Sequence, residues 1–269
     1  MTSKSLVYRG RTLLCVLAFT VSSTASAISF SNMVIFGDSL SDTEPGASNG
    51  PLWPEYLAPR LGITYDSSTN FAELGARSDD LAGQVSAYQA TTAVADPDAL
   101  YVVWAGGNDI LAFLSGVDAA NNVISTVDSL SAFGAVNFLV PNMPDIGLIP
   151  ADGTGTLTGP SVDFNVTVES AFAGLSDVSV ADIFRAHHDI LADPAAFGLT
   201  NATDSCLLTA PLSCDTYLFW DLIHPTTVGH SLFADEFEAT LTIIPVPAAV
   251  WLFGSGMIGL IGIARRKKR

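Results

Sequence analysis

Hydrophobic and polar residues alternate along the chain in blocks that predict strands and helices in turn. Apolar runs rich in β-branched residues are typical of buried strands, and they cover residues 34–36, 99–105, 133–140 and 178–184. Apolar residues at helical spacing predict helices at residues 49–58, 79–89, 117–131, 164–175 and 226–241. Residues 151–161 and 193–211 lack either pattern and predict loops. Strands that alternate with helices favour an α/β fold with a parallel sheet and helices on both of its faces.

The first strand runs directly into a polar segment that carries a candidate nucleophile. Residues 34–42 read Val-Ile-Phe-Gly-Asp-Ser-Leu-Ser-Asp, so Ser39 follows the carboxyl end of the strand after a turn that Gly37 permits. Open α/β sheets bind their ligands at this end of the strands. A serine in an ordinary polar turn would give the same local pattern, so a catalytic Ser39 needs partners from elsewhere in the chain.

Those partners are predicted near the end of the chain, where Asp221 and His224 stand three residues apart. Histidine can take a proton from a hydroxyl near neutral pH, and a carboxylate can orient its ring. The other histidines receive no catalytic role. We interpret His187 and His188 as surface residues, because no partner at metal-ligand spacing is apparent, and His230 as a structural residue of the last helix.

Two further segments beside predicted strands supply groups that could bind an oxyanion. Gly75 lies in a turn near the expected sheet edge, where a backbone N–H can point at a ligand oxygen. Asn108 follows the strand at 99–105 after two glycines, and its amide is a second candidate donor. A helix cap is an alternative explanation for Asn108, since asparagine is favoured at that position.

These residues can fill each role in acyl transfer once. Ser39 would attack the carbonyl carbon, while His224 would take its proton and return it to the leaving alcohol. Asp221 would orient the imidazole and stabilise its charged form. The N–H groups of Ser39 and Gly75, with the Asn108 amide, would bind the oxyanion. The sequence contains no H-E-x-x-H zinc motif and no P-loop, so other chemistries have less support.

The same residues resemble the GDSL lipase/esterase family, also called SGNH hydrolases. The resemblance rests on blocks at residues 36–42, 75, 106–109 and 221–225, in order, and runs from about residue 30 to residue 241. It implies a flavodoxin-like three-layer α/β/α sandwich with a parallel sheet, a serine hydrolase acting on esters, and no metal or organic cofactor. In the family's terms the signature residues are Ser39, Gly75, Asn108 and His224, with Asp221 completing the triad. Leu74 stands where relatives often have a second glycine, which bears on the backbone at Gly75.

The resemblance leaves the substrate open. Lipid esters, small-molecule esters and the acetyl esters of an extracellular polysaccharide all fit, by hydrolysis or by acyl transfer. A non-catalytic surface protein with the same fold is a further alternative, although a binding module would not require all five chemical positions to be filled. Activity on a series of p-nitrophenyl esters would separate these alternatives.

Charge is distributed unevenly along the 269 residues. Residues 28–243 contain all 27 acidic residues but only three basic ones, Arg60, Arg77 and Arg185, which leaves this segment with a formal charge of −24. So acidic a surface repels the phosphate backbone, and this argues against a nucleic-acid partner. It also suggests a saline environment, in which counterions screen the self-repulsion.

The first 27 residues have the layout of a secretory signal peptide. A basic segment with Lys4, Arg9 and Arg11 precedes an apolar core at residues 13–21, and Ala-Ser-Ala at 25–27 is typical of a cleavage site. The apolar core is too short for a transmembrane anchor. We therefore expect the protein to be exported.

Export would leave two cysteines in the chain. Cys15 lies within the signal peptide and would be lost with it, so Cys206 and Cys214 remain. In an oxidising compartment we expect this pair to form a disulfide that closes a small loop. The alternative is two buried free thiols, and thiol titration of the denatured protein would distinguish the two.

The last 26 residues have a different character from the acidic segment before them. Pro-Val-Pro at 245–247 is followed by an uncharged apolar stretch at 248–264 and by five basic residues, which together predict a membrane span with a cytoplasmic C-terminus. A buried core helix is the competing interpretation. The tail resembles the PEP-CTERM sorting signal of Gram-negative bacteria, which implies recognition by an exosortase, a transient inner-membrane anchor, and delivery to the cell surface or extracellular matrix. The expected organisation is a signal peptide at 1–27, a hydrolase domain at 28–243 and a sorting tail at 244–269.

Overall fold

A parallel sheet forms the centre of the protein. The computed structural model describes residues 29–44 and 47–242. Four strands lie side by side in sequence order, namely β1 (Met33–Gly37), β2 (Leu100–Trp104), β3 (Phe138–Pro141) and β4 (Val178–Ala181). Their parallel pairing brings all four carboxyl ends to the same edge of the sheet.

An extended segment occupies a fifth position beside β1. Asn70 forms a parallel bridge with Ile35. The Phe71 N–H donates to the Ile35 carbonyl over 2.8 Å, and the Glu73 N–H donates to the Gly37 carbonyl over 3.1 Å. If this segment is counted as the second strand along the chain, the spatial order of the five strands is 2-1-3-4-5, which is the order of a flavodoxin-like sheet. The end of β1 is therefore flanked by β2 on one side and by this extended segment on the other.

Side chains of the strands alternate between two hydrophobic cores. On β1, Met33 and Ile35 pack into one core, whereas Val34 and Phe36 pack into the other. All five residues of β1 and of β2 are buried, which is expected for a parallel sheet covered on both faces.

Helices cover both faces, which gives the three-layer α/β/α sandwich. One face is covered by α1 (Trp53–Arg60) and α8 (Thr227–Thr242). The other is covered by α2 (Leu81–Thr91), α4 (Gly116–Ala132) and α5 (Thr158–Phe172). The predicted fold class is confirmed, and the helices predicted at 117–131 and 226–241 agree with α4 and α8 to within one residue at each end.

Aromatic rings join α1 and α8 to the sheet. Trp53, Trp104, Phe233 and Phe237 pack edge to face, with ring centroids 5.0 to 6.4 Å apart. Helix α8 directly follows the segment that contains His224. Its packing therefore fixes the end of that segment against the same sheet whose strand β1 leads into Ser39.

Some predicted boundaries are wrong. The third strand begins at Phe138 rather than at residue 133, because α4 runs to Ala132 and a turn follows it at residues 133–134. Helix α5 begins at Thr158, inside the predicted loop at 151–161. The fourth strand ends at Ala181, and α6 (Ile183–Ala192) begins two residues later and contains both adjacent histidines.

The region predicted as a loop at 193–211 contains regular structure. It includes β5 (Asn201–Ser205) and α7 (Cys206–Thr209), and β5 pairs in parallel with β6 (Tyr217–Phe219). The β5 sequence Asn-Ala-Thr-Asp-Ser is largely polar, so it gives no apolar alternation from which a strand could be predicted. The remaining helix, α3 (Gly107–Leu111), follows β2.

A disulfide joins Cys206 of α7 to Cys214, with the two Cα atoms 5.8 Å apart. That separation lies within the usual range for disulfides. Cys15, the predicted signal peptide and the predicted sorting tail at 244–269 lie outside the described residues. In the part of the chain that the structure describes, no helix combines the length and the apolar character needed to cross a bilayer.

Candidate active site

The end of β1 is held rigidly at Gly37. A Cβ atom on this residue would collide with the backbone carbonyl of Trp104 on β2, so only glycine allows the two strands to approach this closely here. The Gln84 side chain on α2 accepts the Gly37 N–H over 2.8 Å and donates to the Gly37 carbonyl over 2.7 Å. Two residues later the chain reaches Ser39, which is buried.

Ser39 lies in a turn built around Asp38. The N–H groups of Ser41 and Asp42 donate to the Asp38 carbonyl over 2.9 and 3.0 Å. The Leu40 N–H donates to the Asp38 carboxyl group over 3.0 Å. The backbone on both sides of Ser39 is therefore fixed by hydrogen bonds to a single neighbouring residue.

Ser39, His224 and Asp221 form a continuous hydrogen-bonded chain. Asp221 Oδ1 accepts the N–H groups of Ile223 and His224, each over 2.7 Å. Asp221 Oδ2 lies 2.8 Å from His224 Nδ1, and His224 Nε2 lies 2.8 Å from Ser39 Oγ. Because an ionised carboxylate only accepts hydrogen bonds, Nδ1 carries the ring proton and Nε2 can accept the serine proton. This is the polarity that a serine nucleophile requires.

The segment that carries Asp221 and His224 is a closed turn after β6. The Trp220 N–H donates to the His224 carbonyl over 2.8 Å, and Phe219 forms a bridge with Pro225. The ends of this turn are thus held together, and the imidazole is presented from its tip toward the end of β1.

The two carboxyl groups beside the reacting atoms have their pKa values shifted in opposite directions. Burial tends to raise the pKa of Asp221, but hydrogen bonds from the His224 ring and from backbone N–H groups outweigh it and lower the pKa below its usual value. Asp38 is only 3% exposed, and burial raises its pKa to about 7 despite the bond from Leu40 and the attraction of His224. Asp221 therefore stays ionised, whereas Asp38 changes charge near neutral pH.

Asn108 lines a cavity together with Ser39 and His224. Its Nδ2 donates to the Ala76 carbonyl over 2.8 Å, which fixes the orientation of the amide. Gly106 occupies the N-cap position of α3, so the interpretation of Asn108 as a helix cap is wrong. Because an amide nitrogen carries two hydrogens, one remains available to a ligand.

Gly75 lies at the margin of this site rather than in the cavity wall. Its φ of +79° is in the left-handed region that glycine readily adopts. The turn around it is closed by the Ala76 N–H, which donates to the Glu73 carbonyl over 3.0 Å, and by the Leu74 N–H, which donates to the Asp42 carboxylate over 2.8 Å. The structure therefore brings Ser39, Asn108, His224 and Asp221 together and leaves Gly75 exposed beside them.

The cavity beside Ser39 is small and apolar. The space open to the centre of a water-sized sphere is about 40 Å³, and each water needs roughly 10–15 Å³ by this measure. It is lined on its apolar side by Leu40, Leu111, Ile146, Ile149, Leu218 and Phe219. Such a space takes only a few non-hydrogen atoms.

His187 is the cavity residue that sequence reasoning missed. It is 2% exposed and lines the cavity, so its interpretation as a surface residue is wrong, and burial lowers its pKa to about 4. It shares one helical face with the buried Ile183 and Ile190, and this apolar spacing was the available signal. His188 is partly exposed, and His230 is fully buried within α8. No histidine of the described residues belongs to a group of three or more His, Cys, Asp or Glu side chains that could hold a metal ion.

A second serine has the spacing of a different class of nucleophile. Residues 46–50 read Gly-Ala-Ser-Asn-Gly, which matches the G-x-S-x-G pattern around Ser48. The Ser48 hydroxyl donates to the Pro225 carbonyl over 2.9 Å, and the residue lies in an irregular segment rather than between a strand and a helix. Ser39, with its histidine partner, remains the candidate nucleophile.

A flavodoxin-like sandwich with a Ser–His–Asp chain at the strand ends defines a class of ester hydrolases. The comparison with known families agrees: residues 33–237 match GDSL-like Lipase/Acylhydrolase, and the chain belongs to this family of ester hydrolases.

Several known proteins are similar to the chain. Lipase 1 of Photorhabdus luminescens is 32% identical over 166 residues, which cover 50% of this chain and 25% of that lipase. Phosphatidylcholine-sterol acyltransferase of Aeromonas hydrophila is 24% identical over an alignment of 319 positions, covering 83% of this chain and 93% of that protein. The crystal structure of a member of the lipolytic protein G-D-S-L family from Veillonella parvula has the same fold, with a TM-score of 0.58, 18% identity, and coverage of 79% of this chain and 99% of that one. The chain thus spans a quarter of the lipase but nearly all of the acyltransferase.

Proposed function

We propose that this protein hydrolyses carboxylic esters through an acyl-enzyme, with Ser39, His224 and Asp221 as its catalytic triad. The observation that carries the proposal is the chain of two 2.8 Å hydrogen bonds from Ser39 Oγ through the imidazole to the Asp221 carboxylate. The lowered pKa of Asp221 supports it, because an ionised carboxylate stabilises the imidazolium that forms during the reaction.

The proposed reaction has two half-reactions with the same proton carrier. Ser39 Oγ attacks the ester carbonyl carbon while His224 Nε2 takes the hydroxyl proton. The bond to the alcohol oxygen then breaks, and the imidazolium gives that proton to the departing alcohol. Water then attacks the acyl-enzyme while Nε2 takes one of its protons, and that proton passes to Ser39 Oγ as the bond to the acyl carbon breaks and the carboxylic acid leaves.

The proposed oxyanion donors are the N–H groups of Ser39 and Gly75 and the amide of Asn108. Asn108 has the most direct support, because its amide is anchored at Ala76 and retains one free hydrogen beside the serine. Donors of this kind often reach their final geometry only when substrate is bound, which is consistent with the marginal position of Gly75.

The favoured substrates are esters of short carboxylic acids. A cavity of about 40 Å³ beside Ser39 accepts the few atoms of an acetyl to butyryl group. Longer acyl chains would have to lie along the surface. An O-acetylesterase acting on an extracellular polysaccharide is the second candidate, and the same small cavity favours it.

An ester series tests this proposal. We expect hydrolysis of p-nitrophenyl esters to peak between acetate and butyrate, and Ser39→Ala to lower kcat by about 10⁴-fold or more. Ser48→Ala is the matched control and should retain activity, because it removes the other candidate serine. Hydrolysis that survives in Ser39→Ala would exclude the assigned nucleophile. Release of acetate from an acetylated polysaccharide would support the second candidate function, the O-acetylesterase.

We also propose that the protein is exported and that an exosortase removes its tail. The signal-peptide layout of residues 1–27 and the tail at 244–269 support this, and a disulfide is typical of an oxidising compartment. The mass of the protein recovered from the cell surface tests both steps. We expect a chain that begins at Ile28 and lacks the basic C-terminus; the full mass would contradict both cleavages.

A further inference from the structure

A second depression adjoins the cavity beside Ser39. Its lining consists of Leu111, Phe113, Ala151, Asp152, Thr156 and Leu157. Leu111 belongs to the lining of both spaces, so they meet at this residue. The space open to the centre of a water-sized sphere is about 270 Å³ in the depression, against about 40 Å³ beside Ser39. The depression therefore has room for a larger group than the cavity has.

Phe113 borders the depression from a backbone position that usually belongs to glycine. Helix α3 ends in a Schellman motif, in which the Phe113 N–H donates to the Ile110 carbonyl over 2.9 Å. The Leu114 N–H donates to the Asp109 carbonyl over 2.9 Å and completes the motif. Phe113 has a φ of +59°, which is strained for a bulky residue, yet it is 76% exposed and gains little from packing. Strained residues of this kind cluster at sites that bind ligands.

The depression is tied to the turn that carries His224. The Ala151 N–H, in the lining, donates to the Leu222 carbonyl over 2.9 Å. Leu222 and Ile223 are both partly exposed and continue the apolar surface from there to His224. In the proposed reaction His224 Nε2 protonates the departing alcohol, so the alcohol oxygen must lie within hydrogen-bond reach of that nitrogen. The depression therefore lies on the side of the site where the alcohol part of an ester would leave.

The two polar side chains of the lining are engaged within their own loop. The Asp152 carboxylate accepts the Leu157 N–H over 2.8 Å and hydrogen bonds from the N–H and the hydroxyl of Thr154. The Thr156 hydroxyl pairs with the Thr154 hydroxyl over 2.8 Å. The bond from the Thr154 hydroxyl holds the pKa of Asp152 below its usual value, so this carboxylate is charged at neutral pH and disfavours an anionic ligand.

We propose that this depression is a subsite for the alcohol part of the substrate and that it selects esters of uncharged, apolar alcohols over esters of sugars. Leu111, Phe113 and Leu157 offer apolar contacts, which stabilise a bound aryl or alkyl group by removing its surface from water. A sugar would lose hydrogen bonds to water that these side chains do not replace. This inference rests on the proposed ester hydrolysis and names the alcohol of its substrate.

Two acetate esters of primary alcohols provide the test on the full-length protein: 2-phenylethyl acetate and methyl 6-O-acetylglucoside. They share the acyl group, and each kcat/KM is divided by the rate of uncatalysed alkaline hydrolysis of the same ester. We expect the wild-type protein to prefer the phenylethyl ester by about tenfold or more, which corresponds to roughly 55 Å² of apolar surface removed from water. A ratio of one or below would overturn the inference and would support the polysaccharide candidate.

Phe113→Gly separates a role in binding from a role in folding. Glycine relieves the strain at the left-handed position and removes the ring, so we expect urea unfolding to shift to higher concentration while the ratio of the two acetates falls by about threefold or more. Ala210→Gly is the matched control, because Ala210 has a φ of +46° but does not line the depression. It should gain stability and keep the wild-type ratio. An unchanged ratio in Phe113→Gly would overturn the assignment.

Methyl octanoate distinguishes the alcohol from the acyl chain as the occupant. We expect Phe113→Gly to hydrolyse it as the wild-type protein does, whereas a loss confined to this ester would place the acyl chain in the depression and overturn the inference. If both acetates are hydrolysed equally well, only the subsite fails. If neither is hydrolysed, or if hydrolysis survives in Ser39→Ala, the proposed esterase itself fails.

Discussion

Asp221 and Asn108 of the candidate site are each oriented by a contact close to them in the fold. The Asp221 carboxylate is fixed by N–H groups within its own turn, and Asn108 is fixed by the Ala76 carbonyl. Such contacts hold the donors and acceptors in place before substrate arrives, and preorganised dipoles are the largest source of stabilisation for a developing oxyanion. At the residue scale the anchored amide is therefore the group whose removal is most informative.

Asn108→Ala tests the amide as an oxyanion donor. We expect kcat to fall by about 10²–10³-fold with little change in KM, because the bond forms mainly in the transition state. Asn137→Ala is the matched control: its amide donates to the Pro97 carbonyl over 2.7 Å at the opposite end of the sheet. Steady-state kinetics on a soluble short-chain ester gives both values. Equal losses in the two variants would point to a structural role.

Asp38 makes stability depend on pH near neutrality. Its pKa of about 7 in the folded protein lies above the ordinary value of 3.8, so the folded state binds more protons between these values. The contribution of Asp38 is complete below about pH 4 and is lost as the pH rises through 7. Between pH 5 and pH 8 the loss is about 3 kcal/mol, since one pKa unit corresponds to 1.36 kcal/mol.

Asp38→Asn removes this dependence and retains an oxygen for the Leu40 N–H. We expect the stability of the variant relative to wild type, measured as the difference between their free energies of unfolding, to be greater at pH 8 than at pH 5. Urea unfolding at the two pH values measures it. The exposed Asp79→Asn variant is the control and should follow the wild-type pH dependence. Parallel curves for wild type and Asp38→Asn would contradict the raised pKa.

The site residues differ in how far the sequence could predict them. Ser39, Asp221 and His224 stand in short motifs that suggest their chemistry directly. His187 stands in no such motif, because its place in the cavity wall depends on how α6 packs beside β6, and that is a property of tertiary packing. The raised pKa of Asp38 has the same origin, since burial by residues distant in sequence produces it.

At the scale of elements, the end of β1 depends on a side chain from α2. Among the described residues, Gln84 is the one side chain that accepts the Gly37 N–H, whereas the Gly37 carbonyl also accepts the Glu73 N–H. Gln84→Leu would leave that buried N–H unpaired. We expect a loss of about 1–3 kcal/mol in the free energy of unfolding, and a lower kcat because Ser39 is two residues away.

Gln89→Leu is the matched control for this change. Gln89 lies on the same helix but faces solvent, so its replacement should leave stability within about 0.5 kcal/mol of wild type. Chemical unfolding and ester hydrolysis are measured on both variants. A Gln84→Leu protein as stable as the control would show that water or another group replaces the side chain.

The disulfide lies next to a contact that supports the turn carrying His224. The Leu207 N–H, next to Cys206, donates to the Trp220 carbonyl over 3.0 Å. For a loop of this length, chain entropy predicts that replacing both Cys206 and Cys214 with serine lowers the free energy of unfolding by about 2–3 kcal/mol.

Thiol titration tests the bridge itself. We expect no free thiol in the mature protein when it is titrated under denaturing conditions. Two free thiols would contradict the bridge.

Elements were predictable where the apolar pattern is strong and local. Helices α4 and α8 show clear apolar spacing, and the buried strands are runs of apolar residues. The edge segment at Asn70 is short and strand β5 is polar, and each is held by hydrogen bonds to another strand of the same chain. Such pairing is non-local, so no window of the sequence contains it.

At the scale of the whole molecule, the three cations within the described residues 29–44 and 47–242 all form ion pairs. Arg60 lies 2.7 Å from Asp235 and joins α1 to α8, Arg77 pairs with Asp79, and Arg185 contacts three acidic side chains. These pairs neutralise only a small part of the negative charge of residues 28–243. The folded domain therefore carries a large unbalanced charge that compaction brings together.

Stability should consequently rise with salt. The Debye length falls from about 10 Å at 0.1 M to about 3 Å at 1 M, so added NaCl weakens the repulsion in the compact state more than in the expanded unfolded chain. We expect the Tm to increase by several degrees over this range, and to increase more steeply in Arg185→Gln, which makes the charge more negative. Exposed ion pairs respond in the opposite direction, but each is worth little. Sucrose is the uncharged control for general solvent effects. A flat or falling Tm in NaCl would mean that the acidic side chains are too dispersed for their repulsion to oppose folding, and the inferred saline habitat would lose its physical basis.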